Sequence, residues 1–222
     1  MPRVRVWDLP TRLFHWLLLL AVVGLFVTAN VGGNWMNWHL RLGYAVMGLL
    51  LFRLLWGFFG GYWSRFASFL YSPRSVWAYV RGRSPGLHTV GHSPLGALSV
   101  FALLLVLAAQ VGSGLMTDDA IAFFGPLVPL VSGNTVDLAT WYHKDVGRFA
   151  VLGLVGLHVL AIAYYRWVRR QPLTAAMVHG DKELGFEAPV SRDGVAQWLA
   201  AACAGAVSTA VVVAVVRWGA GS

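Results

Sequence analysis

The sequence predicts an all-α integral membrane protein: a four-transmembrane-helix bundle followed by a fifth C-terminal transmembrane helix. Three observations predict it. First, the 222 residues are 58% hydrophobic and only 12% charged, with a mean hydropathy of +0.64, outside the usual range of soluble domains. Second, five apolar stretches, at about 13–31, 39–59, 95–116, 146–168 and 195–218, match the roughly 20 residues that cross a bilayer. Third, the charges between those stretches alternate.

The N-terminal tail carries Arg3, Arg5 and Arg12. The loop after the second stretch carries Arg65, Arg74, Arg81 and Arg83. The segment after the fourth carries Arg166, Arg169, Arg170, Lys182 and Arg192. Twelve of the seventeen basic residues thus fall on one side, while the opposite loops, about 32–38 and 117–142, hold no Lys or Arg but Asp118, Asp119 and Asp137. The positive-inside rule then puts the N-terminus of a multi-pass protein in the cytoplasm. The net charge of +8 is this bias, so nucleic acid is not an expected partner and the lipid bilayer is.

Each element has a local reason. The first stretch follows a basic flank but lacks a small-x-small cleavage signal, so it reads as a retained helix. Trp7, Trp38, Trp141, Trp167 and Trp218 fall near predicted ends, as an interfacial aromatic belt requires. YSPRSVWAYVRG, 71–82, mixes aromatics with arginines and reads as a short surface amphipathic helix. Residues 1–170 form the predicted core, 171–194 a polar cytoplasmic linker, and 195–218 the fifth helix. The single cysteine, Cys203, permits no internal disulfide, and the absence of Cys-x-x-Cys-His excludes covalent haem attachment.

Four of the seven histidines fall on predicted helices: His15, His39, His143 and His158. His15 sits about one turn inside the cytoplasmic end of its helix, and His39 and His143 near the outer face. His158 is fifteen residues beyond His143, about 22 Å along the helix, at a depth like that of His15. The two differ by about 60° in azimuth and so point broadly to one side. Four histidines therefore make two pairs at two depths, roughly 20 Å apart.

A polar side chain inside a membrane is costly and suggests function. Paired imidazoles saturate a haem iron, allowing electron transfer without oxygen binding. A single interfacial histidine is ordinarily a hydrogen-bonding residue; the set of four points to two haems b. His39-x-x-x-Gly43 and His143-x-x-x-Gly147 each put a glycine one turn from a candidate ligand, with room for a porphyrin edge. Arg41, Lys144 and Arg148 could pair with propionates on the outer side and Arg53 on the inner side. His92 reads as a cap for the third stretch or a contact for a quinone headgroup or propionate. His88 and His179 read as loop residues.

The stretches WDLPTRLFHW, HLRLGYAVMGLLLFRLLWGFFGGYWSRFASFLYSP, GHSPLGALSVFALLLVLAAQVGSGL and WYHKDVGRFAVLGLVGLHV, in this order over about residues 5–170, resemble the bacterial cytochrome b561 / nickel–iron hydrogenase cytochrome b family. The resemblance implies a four-helix core with two haems b, one on His15 and His158 and the other on His39 and His143. It also implies electron transfer between a periplasmic partner, a hydrogenase-like protein or a c-type cytochrome, and quinone. The family usually spaces its fourth-helix histidines fourteen apart, not fifteen; a π-bulge near 147–153 would absorb the extra residue. The fifth helix is additional to the family core.

The expected function is that of an electron-transfer subunit of a quinone-linked oxidoreductase system in the respiratory chain, with no catalytic residue of its own. Two other readings stand beside it. A self-sufficient superoxide:quinone oxidoreductase would need a positive funnel at the outer haem, which Arg41, Lys144 and Arg148 favour and the acidic loop opposes. A non-haem transporter or assembly protein would use the histidines for metal or protons, but no inverted repeat supports it.

Overall fold

The computed structural model describes residues 3–220. In chain order they form β1 (Arg3–Arg5), α1 (Leu9–Val31), α2 (Met36–Phe59), α3 (Pro73–Val80), α4 (Pro94–Gly114), α5 (Gly133–Trp141), a π-helical turn (Tyr142–Gly147), α6 (Arg148–Trp167), α7 (Leu173–His179), β2 (Asp181–Glu183) and α8 (Val195–Ala220), with short 3-10 turns between. Five helical runs are long and apolar enough to cross a membrane: Leu9–Val31, Gly33–Phe59, Pro94–Gly114, Gly133–Trp167 and Val195–Gly219. All five predicted stretches are therefore helices. The fourth run starts earlier than expected, because α5 and the π turn join α6 and bring His143 inside it.

The helix starts are written in short polar signals. Asp8 caps α1, its Oδ1 accepting the Thr11 N–H at 2.8 Å. Ser72, Ser93 and Ser132 do the same for α3, α4 and α5, accepting from Ser75, Gly96 and Thr135. In α3 and α4 a proline takes the first helical position, where no N–H is needed. Gln197 Oε1 accepts the Gly194 N–H at 3.1 Å, the reciprocal half of a capping box at the start of α8. Ser93, not His92, is thus the cap of α4, a correction to one expected role of His92. Gly180, at φ +90°, ends α7 in the left-handed conformation that glycine adopts without strain.

The chain divides into two compact units. The first comprises residues up to His15, Arg53–Ala102 and Leu154–Ala204. Here β1 pairs antiparallel with β2, Val4 opposite Lys182. Val4, Val6, Trp7, Trp63, Val90, Ala176 and Leu184 form a buried cluster. Polar ties surround it: Trp63 donates to the Pro189 carbonyl at 2.7 Å, Ser191 to Val6 at 2.8 Å, and Lys182 to Val90 at 2.6 Å. Segment 171–194, read from sequence as a linker, is built into this small cap.

The second unit comprises Trp16–Phe52, Leu103–Gly153 and the chain from Gly205. Small residues bring its helices together. A Cβ on Gly24 of α1 would stand 2.8 Å from Leu42 Cδ1 of α2, and one on Gly48 of α2 would lie 3.5 Å from Val212 Cγ2 of α8. The loop between α4 and α5 folds on Asp119, whose Oδ1 accepts from Ile121, Ala122 and Phe123 at 2.9 Å each.

Candidate functional site: two histidine pairs

α1 and α6 bring His15 and His158 together in the first unit, with ring centroids 6.5 Å apart and planes at 50°. In the second unit α2 and the π turn bring His39 and His143 together, centroids 6.2 Å apart and planes at 88°. An imidazole nitrogen binds a transition metal at about 2 Å with its centroid about 1.1 Å behind, so two rings on opposite sides of one metal have centroids about 6.2 Å apart. Rotation about the shared axis leaves that spacing unchanged, so both plane angles are compatible with it. Both pairs have the separation of axial ligands. Among the described residues no group of three or more His, Cys, Asp or Glu could hold a metal ion. A two-histidine gap suits a metal that arrives with four equatorial ligands already in place.

In the second unit the ring orientation is fixed from behind. His39 Nδ1 donates to the Leu25 carbonyl at 3.1 Å, and His143 Nδ1 to the Gln110 carbonyl at 2.9 Å. A carbonyl only accepts, so Nδ1 carries the proton in each ring and Nε2 keeps its lone pair for a metal. Gln110 closes the arrangement, its amide donating to the His143 carbonyl at 3.0 Å. Gly114 lies against the same ring: a Cβ there would stand 2.8 Å from His143 Cε1.

The glycines one turn from His39 and His143 behave differently. A Cβ on Gly43 would meet nothing within 4 Å, consistent with room for a flat group. A Cβ on Gly147 would stand 1.9 Å from Gln110 Oε1, so Gly147 admits the Gln110 side chain rather than a porphyrin edge. That corrects the sequence expectation for the second glycine. The π turn itself occurs at Tyr142–Gly147, just before the expected 147–153. One π turn takes one extra residue, returning a fifteen-residue spacing to the register of fourteen.

In the first unit the pair lies near a buried polar set. Arg53 is 3% exposed. Its guanidinium stands 4.8 Å from the Phe66 ring centroid, and Nη1 and Nη2 are buried without a hydrogen-bond partner. His92 packs between Trp7 and Phe69, at 4.7 and 4.3 Å between centroids. Burial first, then the nearby Arg53 charge, pushes His92 down to about 3, so its ring is neutral at physiological pH. Sequence reasoning did not find Asp8. Its carboxylate, wholly buried, accepts from Thr11 N at 2.8 Å, Trp56 Nε1 at 3.1 Å, Gly61 N at 3.2 Å and Ser64 Oγ at 2.6 Å. It ties the start of α1, seven residues before His15, to the end of α2. The signal was present as Asp8-Leu9-Pro10, a capping residue before an early proline.

Arg41 and Arg148 are exposed, stacked on Trp38 at 5.1 Å and Phe149 at 4.5 Å. Lys144 is also exposed. In the acidic loop, the backbone N–H groups of Phe123, Ala122 and Ile121 hold the Asp119 carboxyl below its usual range.

Comparison with known proteins identifies the family. Residues 6–180 match the family described as prokaryotic cytochrome b561. A protein of Azotobacter vinelandii named as a Ni/Fe-hydrogenase B-type cytochrome subunit is 28% identical, over 80% of this chain and 87% of its own length. A Cupriavidus necator protein of the same name is 27% identical, over 79% and 85%. A Ni/Fe-hydrogenase 1 B-type cytochrome subunit of Escherichia coli K12 is 24% identical, over 66% and 78%. No solved structure gives a match of comparable significance.

Proposed function

The chain belongs to the prokaryotic cytochrome b561 family, a multi-pass membrane b-type cytochrome carrying haem b, and from that premise we propose that it is a two-haem electron conduit between a periplasmic redox partner and the quinone pool. The observation that carries the reading is the pair of histidine couples, each with the ring spacing of axial ligands. His15 and His158 hold one haem b and His39 and His143 the other. When bound, haem b supplies a one-electron iron couple. The chain's own residues do the rest. The Leu25 and Gln110 carbonyls orient His39 and His143. The buried, unpartnered nitrogens of Arg53 favour an anionic group beside the inner pair, as a propionate would be. Arg41 and Arg148 are the proposed propionate partners on the outer side.

The charge asymmetry supports a cytoplasmic N-terminus in the inner membrane, with the loop around Asp118, Asp119 and Asp137 in the periplasm. An acidic loop suits a basic docking surface on a hydrogenase-like protein or a c-type cytochrome. The names of the relatives support the hydrogenase-like partner. The same loop disfavours a superoxide funnel at the outer pair.

The test is a reduced-minus-oxidised spectrum of the detergent-purified chain, followed by addition of a short-chain quinone to the reduced protein. Sharp b-type bands that fade on quinone addition are expected. Bands that ignore quinone would remove the quinone from the account; a colourless protein from haem-replete cells would remove the haems.

A further inference from the structure

The end of α2 and the start of α8 flank a cavity of about 340 Å3, lined by Arg65, Arg192, Gln197, Tyr62 and the Gly60–Gly61 backbone. Both arginines are exposed, and neither forms an ion pair among the described residues. The carboxylates that adjoin Gly61 and Arg192, Asp8 and Asp193, are engaged elsewhere. Asp8 receives its four donors, among them the N–H of Gly61 itself. Asp193 accepts from Arg5 at 2.8 Å and from the Leu9 N–H at 3.2 Å. Gln197 spends its oxygen on the Gly194 N–H, leaving its NH2 group as the donor for the cavity. Two guanidinium groups and an amide therefore line one recess that holds no acid to answer them.

The setting identifies the anion. Gly60 and Gly61 directly follow the last turn of one membrane-length helix, and Gln197 lies in the first turn of another. That is the level at which hydrocarbon gives way to headgroups. The side chains on the helix ends are apolar and face outward: Phe58 is 61% exposed, Phe59 77%, Val195 76% and Leu199 63%. A soluble anion would use the arginines and leave these exposed apolar side chains of the adjoining helix ends uncovered. A phospholipid uses both.

We propose that this cavity binds an anionic phospholipid, its phosphodiester held by Arg65 and Arg192 and its acyl chains lying against Phe58, Phe59, Val195 and Leu199. The lipid pins the α2–α8 junction at the membrane surface. This gives α8, the helix additional to the family core, a specific lipid contact at its first turn. The inference is independent of the haem assignment.

Native mass spectrometry of the detergent-purified full chain tests it, titrating phosphatidylglycerol, phosphatidylcholine and inorganic phosphate. The expected result is retained phosphatidylglycerol, no retained phosphatidylcholine, and no displacement by phosphate. The Arg65→Gln/Arg192→Gln double variant should bind phosphatidylglycerol about thirty-fold more weakly, at about five-fold per arginine. An Arg74→Gln/Arg83→Gln control should bind as the wild type does. Equal weakening in the control would mean diffuse charge attraction and overturn the site. Displacement by phosphate would mean a small-anion site, and equal retention of phosphatidylcholine a merely greasy one; either overturns the proposal. If the double variant is not monodisperse, Arg192→Gln alone, with its about five-fold expectation, decides the matter.

Discussion

The first unit combines its histidine pair with a folded cap, whereas the second holds its pair with backbone carbonyls. In the first, β1, β2, α7 and the Asp8 network draw the ends of α1 and α2 together, and His15 follows from where α1 begins. In the second, Leu25 and Gln110 accept from His39 and His143 directly, and Gly114 sets the clearance behind one ring. Both routes give nearly the same ring separation, 6.5 and 6.2 Å. The lesson is that one ring separation is reached beside helix-end packing in one unit and through local hydrogen bonds in the other, so the two pairs should fail differently when disturbed.

The largest effect should come from the four proposed ligands. His158→Ala should remove the haem of the first unit and His39→Ala that of the second, each leaving about half the reduced b-band absorbance. Two haems retained in both variants would break the pairing. Next is Asp8→Ala. It removes the shared acceptor of the Thr11 and Gly61 N–H groups, the Trp56 indole and the Ser64 hydroxyl, so it should cost about 3 kcal/mol or more. Thermal bleaching followed by spectroscopy should show the His15–His158 haem released at lower temperature, with the His39–His143 haem little changed. Equal release of both would erase the contrast.

A smaller and opposite signature belongs to Gly114→Ala. Its methyl group would stand 2.8 Å from His143 Cε1, and such overpacking costs about 1–3 kcal/mol. Haem loss should now be confined to the second unit. The smallest effect concerns acid. His92 is held down to about 3 from 6.5 in the folded chain. The folded state then binds fewer protons than the unfolded one between these values. This contribution to stability is complete above about 6.5 and is lost as pH falls toward about 3. Thermal melts across that range should fall less steeply for His92→Leu than for the wild type; identical slopes would exclude His92 as the source.

The five membrane helices were legible because long apolar runs give an unambiguous signal, and the histidine pairs because fifteen residues of helix convert directly into depth. The cap was not legible. Its strands are three residues each, too short for an alternating pattern, and their partners lie almost 180 residues apart. α5 was hidden because Asn134, Thr135 and Asp137 read as loop, although Ser132 supplied a cap. The H-x-x-x-G pattern held open space at Gly43 and not at Gly147, because only the fold could bring Gln110 into that gap. Arg53 was legible as a candidate propionate partner, but its burial and its aromatic setting on Phe66 were not.

The central claim is that each pair of histidines holds its own haem. A pyridine haemochrome count on the purified full-length chain tests it most directly. The account predicts two haems b per polypeptide. A value of one, or none, from haem-replete cells would contradict it.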